Sequence, residues 1–223
     1  MEIILLHGAL STSSQLIPLQ RELERSASVQ LLDFPSHGKG KKEPFSMPQL
    51  VEFLKNFVDK KSTGSLNLFG YSMGGYAALA LAAEINVAKV ITLGTKLEWN
   101  PNAAEKEIKM LNPAVIKTKV PAFAASLENI HGKDWADLVR FTAEMMQGLG
   151  NDPLLNNETF GKISAAVMLM RGEDDNMVSR EETIDAASRI PNARVVSLPG
   201  VPHALEKIDP LFLAGKVLEF CNE

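Results

Sequence analysis

Three features of this 223-residue chain predict an α/β fold, a mostly parallel sheet of about six strands with helices on both faces. Short apolar runs alternate with longer segments of helical periodicity along most of the length. Strand-like runs such as Val90-Ile91-Thr92-Leu93 are apolar throughout rather than alternating, as burial on both faces of a parallel sheet requires. Finally, Gly70-Tyr71-Ser72-Met73-Gly74 joins one such run to a helical segment through a turn that only glycines flanking a serine would permit. With 45% hydrophobic residues, one domain spanning residues 1–223 can build a full core.

The elements follow in order. Glu2-Ile3-Ile4-Leu5-Leu6 reads as the first strand (2–6) and runs into His7-Gly8-Ala9-Leu10. A helix is expected near 15–25, a strand near 28–33, a helix near 47–60, a strand near 65–70, and a helix near 73–84 that begins at the glycine-flanked serine. A strand near 88–94 comes next. Residues 96–162 then contain no convincing strand. Trp135, Leu138, Thr142, Met145 and Leu149 recur at alternating spacings of three and four, one face of a single helix, and Phe123 with Leu127 forms a shorter stripe. The alternation resumes with a strand near 164–171, a helix near 179–189, a strand near 193–198 and a helix near 206–221. The predicted organisation is therefore a core of residues 1–95 and 163–223, with a helical cap, 96–162, inserted over the C-terminal edge of the sheet. Of the cap's apolar side chains, most must pack inward; Trp99, Phe123, Met145 and Met146 are the ones expected to touch a substrate, beside Leu10 and Tyr71 from the core.

A Gly-x-Ser-x-Gly between strand and helix is a nucleophile elbow, which holds a hydroxyl above the sheet at the positive end of a helix. The bare pattern recurs by chance in about one chain of this length in ten, so the rest of the chain must supply its partners in the order serine, acid, histidine. It does. The apolar run Ala165–Met170 ends in Arg171-Gly172-Glu173-Asp174-Asp175-Asn176-Met177-Val178, which offers two adjacent aspartates. Arg194–Leu198 runs into Pro199-Gly200-Val201-Pro202-His203. One helix between two parallel strands returns both loops to the same edge of the sheet, so an aspartate and His203 would meet there. The amides of Ala9 and Met73 are the expected oxyanion donors. His7, before a buried turn, is expected to serve structure by bonding to backbone as a neutral imidazole.

On these residues the chain resembles the α/β-hydrolase superfamily over nearly its whole length. The resemblance rests on His7-Gly8, the elbow at Ser72, Asp175, His203 and the turn Asp33-Phe34-Pro35-Ser36-His37-Gly38-Lys39-Gly40, which is similar to the family's DxPGHGxS loop with Ser36 and Gly40 exchanged for its usual glycine and serine. The family pattern places the acid three residues after a glycine and three before a valine, so Gly172 and Val178 select Asp175 over Asp174. The subgroup it looks most like holds small cytoplasmic esterases and the menaquinone-pathway synthase that eliminates pyruvate. That resemblance implies a serine hydrolase cleaving a small carboxylic ester through Ser72, His203 and Asp175. The alternatives it leaves open are a lyase or C–C hydrolase of the same fold, or an acyl-thioesterase. The synthase generally carries an arginine where this chain has Tyr76. The family's first hairpin has no counterpart before Glu2, which implies a minimal sheet.

Composition narrows the remaining classes. A formal charge of −4 leaves no basic face for nucleic acid. The single cysteine, Cys221, permits no disulfide within the chain. No apolar stretch approaches the roughly 18 residues of a membrane span, and the N-terminus does not read as a signal peptide. No metal-ligand spacing and no cofactor motif is present. The expectation is a cytoplasmic monomer or weak homodimer whose partner is a small-molecule substrate.

Overall fold

The computed structural model describes residues 1–61 and 66–223; residue 65, the expected first residue of the third strand, lies outside them. Among the described residues, six strands form one all-parallel sheet: β1 (Glu2–Leu6), β2 (Ser28–Leu32), β3 (Leu66–Tyr71), β4 (Lys89–Leu93), β5 (Ala166–Asp174) and β6 (Ala193–Pro202), in the spatial order β2-β1-β3-β4-β5-β6. Each connection carries helix, as parallel pairing demands. The chain lays β2 on one side of β1 and then crosses to lay β3 on the other. This reversal opens a crevice at the carboxyl ends of β1 and β3, the place where open α/β sheets bind their ligands. The loops leaving those two ends are His7–Leu10 and the Ser72 turn.

Side chains alternate across the sheet. Ile4, Leu6 and Leu68 face α2 (Met47–Lys61), α3 (Met73–Ala82) and α9 (Arg180–Arg189); Ile3, Leu5, Phe69 and Ile91 face α1 (Ile17–Leu23) and α10 (Pro210–Asn222). Helix α3 is buried at every residue. Its uniformly apolar sequence follows from that position, because it has no solvent face on which an amphipathic stripe could be distinguished.

The expected six strands and all five core helices are present, with informative differences at their ends. β5 and β6 run three and four residues further than their apolar runs, pairing as far as Asp174 and Pro202. The extensions, Gly172-Glu173-Asp174 and Pro199-Gly200-Val201-Pro202, are charged or rich in glycine and proline, so the apolar pattern gave no sign of them. The first helix starts as a 3-10 turn at Ser13–Leu16 before α1. The last helix begins at Pro210 rather than near 206: Pro210 has no N–H to give an earlier turn, and the Asp209 carboxylate accepts the Leu211 amide at 3.0 Å.

Between β4 and β5 the chain forms α4 (Pro101–Ile108), α5 (Pro113–Lys119), α6 (Pro121–His131), α7 (Trp135–Asn151) and α8 (Asn157–Lys162). Three of the five begin with proline, and Asn100, Asn112 and Asn156 cap their helices through the side chain. The predicted face of α7 is buried at all five positions. The Phe123–Leu127 stripe is a correction. α6 buries Ala124, Leu127 and His131, whereas Phe123 is 44% exposed. The helix has two working faces about one residue apart, and the spacing of four joined one residue from each. No described helix is long and apolar enough to cross a membrane.

Gly172 shows how closely β5 and β6 approach near their ends: a Cβ there would stand 2.0 Å from the Val201 carbonyl oxygen. Gly172→Ala is therefore expected to lower stability by about 1–3 kcal/mol, as overpacking does. Urea denaturation measures this, and an unchanged midpoint would contradict the close approach.

Candidate active site

β3 ends at Tyr71 and α3 starts at Met73, so Ser72 makes the turn alone, at φ 50° and ψ −114°. The turn fits only because glycines surround it. A Cβ on Gly70 would meet Gly75 backbone at 2.4 Å, one on Gly74 the Leu6 carbonyl at 2.4 Å, and one on Gly75 the Thr95 hydroxyl at 2.0 Å. The Ser72 amide donates to the Leu93 carbonyl at 2.9 Å, and the Thr95 hydroxyl donates to the Ser72 carbonyl at 3.2 Å. The strained residue is thus tied to β4 on both sides, and its side chain stands at the N-terminal, electropositive end of α3.

The extended β5–β6 ladder decides which aspartate faces the histidine. Asp174 and Pro202 are its last partners, so the next residue on each strand, Asp175 and His203, leaves the sheet at the same level. Asp175 Oδ2 accepts from His203 Nδ1 at 2.8 Å, and Oδ1 accepts the amides of Met177 and Val178 at 2.8 and 3.0 Å. Arg171 closes the loop behind, its guanidinium donating to the carbonyls of Val178 (2.7 Å) and Asp175 (2.8 Å). Burial pushes the Asp175 carboxyl up, but the His203 hydrogen bond and charge and the two amides outweigh it and hold the group below its ordinary value. An ionised Asp175 keeps the His203 proton on Nδ1 and leaves Nε2 as the basic atom. Asp174, in contrast, is exposed.

Three of the chain's four histidines gather on the other side of Ser72. His7 is fully buried; its Nε2 accepts the Phe34 amide at 3.1 Å and its Nδ1–H donates to the Gly8 carbonyl at 2.8 Å. That carbonyl belongs to the same planar peptide as the Ala9 N–H, so His7 sets the plane in which that amide points. His37 stacks 4.9 Å from His7 and 6.2 Å from His131, and its Nδ1–H donates to the Pro35 carbonyl at 2.9 Å. Burial outweighs the backbone hydrogen bonds that would favour the charged form and holds all three neutral: His7 is lowered to about 4 and His37 to about 3, and His131 shifts the same way. Ser36, in the slot where the family loop carries glycine, adopts φ 65° and exchanges hydrogen bonds with the Glu43 backbone through its hydroxyl.

Two cavities meet at Ser72. Both are lined by Ala9, Ser72, Met146, Met177 and His203. The inner one adds Met73, Trp99, Met145, Met47, Tyr76, Leu149 and the ion pair Lys96–Glu107. The outer one adds Leu10, Tyr71 and Phe123, with Ser126 and Ile130 from the same face of α6 as Phe123. The inner cavity offers about 50 Å³ to the centres of water-sized molecules and the outer groove about 850 Å³. Tyr71 has a second task, donating its hydroxyl to the His203 carbonyl at 2.8 Å. Among the described residues no hydrogen bond joins Ser72 to His203, although both line the same two cavities; contacts of this kind commonly tighten only around substrate. Of the lining residues the sequence reading did not name, Leu149 follows Met145 by one helical turn and was within reach of periodicity. Met47, Lys96 and Glu107 come from separate elements and carry no local signal.

The family described as the alpha/beta hydrolase fold matches residues 3–137, more than half of the chain. The chain belongs to the α/β-hydrolase family. Among curated relatives, it is 31% identical over 97 residues to the pimeloyl-[acyl-carrier protein] methyl ester esterase of Pseudoalteromonas atlantica, covering 41% of this chain and 36% of that protein. It is 29% identical over 82 residues to esterase YbfF of Escherichia coli, covering 36% and 32%. A third, protein PHYLLO of Arabidopsis thaliana, is 23% identical over 74% of this chain, a stretch that makes up 10% of that protein. The chain thus spans about a third or less of the length of the curated relatives it matches. Among solved structures, the enol-lactonase from Burkholderia xenovorans superposes with a TM-score of 0.77 at 20% identity, covering 100% of this chain and 91% of that one. MenH from S. aureus gives 0.78 at 19%, covering 100% and 93%. At these identities the superpositions establish the fold.

The neutral histidines make a stability prediction. A histidine whose folded value lies below its unfolded one contributes stability that is present above the unfolded value and is lost as pH falls. Each takes up a proton on unfolding in that range, so His7 and His37 are each expected to cost about 1 kcal/mol of stability per pH unit as pH falls from ~6.5 toward ~4. Urea unfolding at pH 7, 6 and 5 measures the slope; stability that stays level across this range would rule out the buried neutral state.

Proposed function

We propose that this chain is a serine esterase in which Ser72 attacks an ester carbonyl, His203 moves the proton, Asp175 orients and balances the imidazole, and the amides of Ala9 and Met73 hold the oxyanion. The observation that carries this reading is the convergence at one cavity junction of a serine in a strained elbow and a histidine whose Nδ1 is fixed by a buried carboxylate. The reaction is balanced by these groups alone. His203 Nε2 takes the hydroxyl proton as Ser72 Oγ bonds to the carbonyl carbon, and returns it to the departing alcohol as the ester C–O bond breaks. A water then gives its proton to His203 and attacks the acyl-enzyme, releasing the acid and restoring Ser72.

The two cavities suggest how a substrate is divided. The inner one, a few times the space one water needs, suits a short acyl group among methionines, which adapt to varied apolar shapes. The outer groove would take the alcohol portion. The relatives named as esterases support the same class of chemistry. The lyase reading would call for a cation free to bind a substrate carboxylate. Tyr76 stands where the synthase subgroup carries its arginine, with its hydroxyl accepting the Leu155 amide at 3.0 Å, and the pocket's Lys96 is flanked by Glu107 and Glu182 at 3.7 Å each.

Hydrolysis of p-nitrophenyl esters of increasing acyl length tests the reading. Turnover is expected to favour short chains and to vanish in Ser72→Ala; activity that persists in that variant would assign the chemistry elsewhere. Asp175→Asn is expected to lower kcat by about 10⁴-fold, the effect of stranding a triad histidine in the wrong tautomer, while Asp174→Asn stays near the parent rate. Equal losses would remove the distinction between the two aspartates.

A further inference from the structure

His131 belongs to the inserted helices, yet it reaches down to the loop that carries the proposed oxyanion amide. It ends α6 and is 1% exposed. Its two ring nitrogens are committed to two different core loops. Nδ1 accepts the Gly38 amide at 3.0 Å, and Nε2 donates to the Leu10 carbonyl at 3.0 Å. One partner donates and the other accepts, so the pair of bonds selects a single neutral tautomer, protonated on Nε2. The residue whose carbonyl it holds is unusual. Leu10 sits at φ 57°, a left-handed conformation that a branched apolar side chain keeps only when its surroundings enforce it. The Ala9 amide is one residue earlier, between the Gly8 carbonyl held by His7 and the Leu10 carbonyl held by His131.

We propose that His131 is a positioning residue for the oxyanion hole: from α6 it fixes the Leu10 peptide, completes a two-histidine clamp around the Ala9 amide, and so makes the seating of the inserted helices a condition for efficient turnover. The assignment rests on the esterase reading given above. Its physical basis is the sensitivity of oxyanion donors to placement. A donor contributes through a hydrogen bond that forms as charge develops, and a displacement of about 1 Å can cost on the order of 10²-fold. His131 is not among the residues lining either cavity, so its effect should fall on the transition state rather than on substrate binding.

The test compares His131→Leu, which keeps bulk and removes both bonds, with His131→Gln, whose amide can accept from Gly38 and donate to Leu10. The parent and Ser72→Ala are assayed alongside with a short p-nitrophenyl ester. For His131→Leu, kcat is expected to fall about 10- to 100-fold with KM within about twofold. Affinity for a trifluoromethyl ketone, which forms a tetrahedral oxyanion on Ser72, should fall in parallel. His131→Gln is expected to recover most of both. Amide hydrogen exchange, which does not depend on activity, should show lost protection confined to residues 8–12 and 36–40 in the leucine variant. A leucine variant with parental kcat and analogue affinity overturns the inference, as does a loss of kcat that glutamine does not restore in a folded protein. An inactive parent would instead overturn the esterase reading, and the exchange measurement would then still decide whether His131 holds the Leu10 loop.

Discussion

The absence of room around the Ser72 turn constrains every other part of the site. β3 and α3 meet with one residue between them, and that residue can be non-glycine only because positions 70, 74 and 75 carry no side chain: a Cβ at any of the three would stand within 2.4 Å of another atom. The close approach of Gly74 to the Leu6 carbonyl draws α3 against the end of β1. It brings the loop that follows β1 beside the serine. The contact of Gly75 with Thr95 does the same for the loop that follows β4. The strain in Ser72 is therefore held by backbone packing on both sides, and the groups around the serine inherit their positions from that packing.

The far half of the site is placed by a different device. β5 and β6 continue to pair after their apolar sequence has ended, and Gly172 allows the two backbones to close up near the end of the ladder. Parallel register then delivers Asp175 and His203 together. Arg171 and Tyr71 fasten the two exit loops through carbonyls, away from the reacting atoms. The serine is held by steric necessity, whereas Asp175 and His203 are held by hydrogen bonds.

The histidines divide along the same line. His203 bonds to a buried carboxylate, whereas the other three are held neutral by burial. His7 and His131 each have both nitrogens committed to backbone groups, and burial disfavours their charged forms. A neutral imidazole with one donor and one acceptor is well suited to joining an amide in one loop to a carbonyl in another.

Much of this was legible in the sequence because it is written in short range. The six strands, the elbow and the α7 face depend on residues within a few positions of one another, and steric rules for glycine and helical periodicity act at that distance. The choice between Asp174 and Asp175 was open on local grounds, and the register of two strands settled which one meets His203. The helix starts at Pro101, Pro113, Pro121 and Pro210 are marked locally by proline, although the sequence reading set no bounds for the first three and began the last near 206. What only the tertiary structure decided are contacts across long separations: His131 with Leu10 across 121 residues and with Gly38 across 93, and the lining of the inner cavity by Met47, Lys96 and Glu107. Such contacts leave no periodic or motif signature, because the neighbours that give each residue its role are chosen by how the helices of 96–162 settle on the sheet. The chain by itself therefore determined the fold and the identities of the candidate site residues, whereas packing determined how those residues are held and what shape of cavity they line.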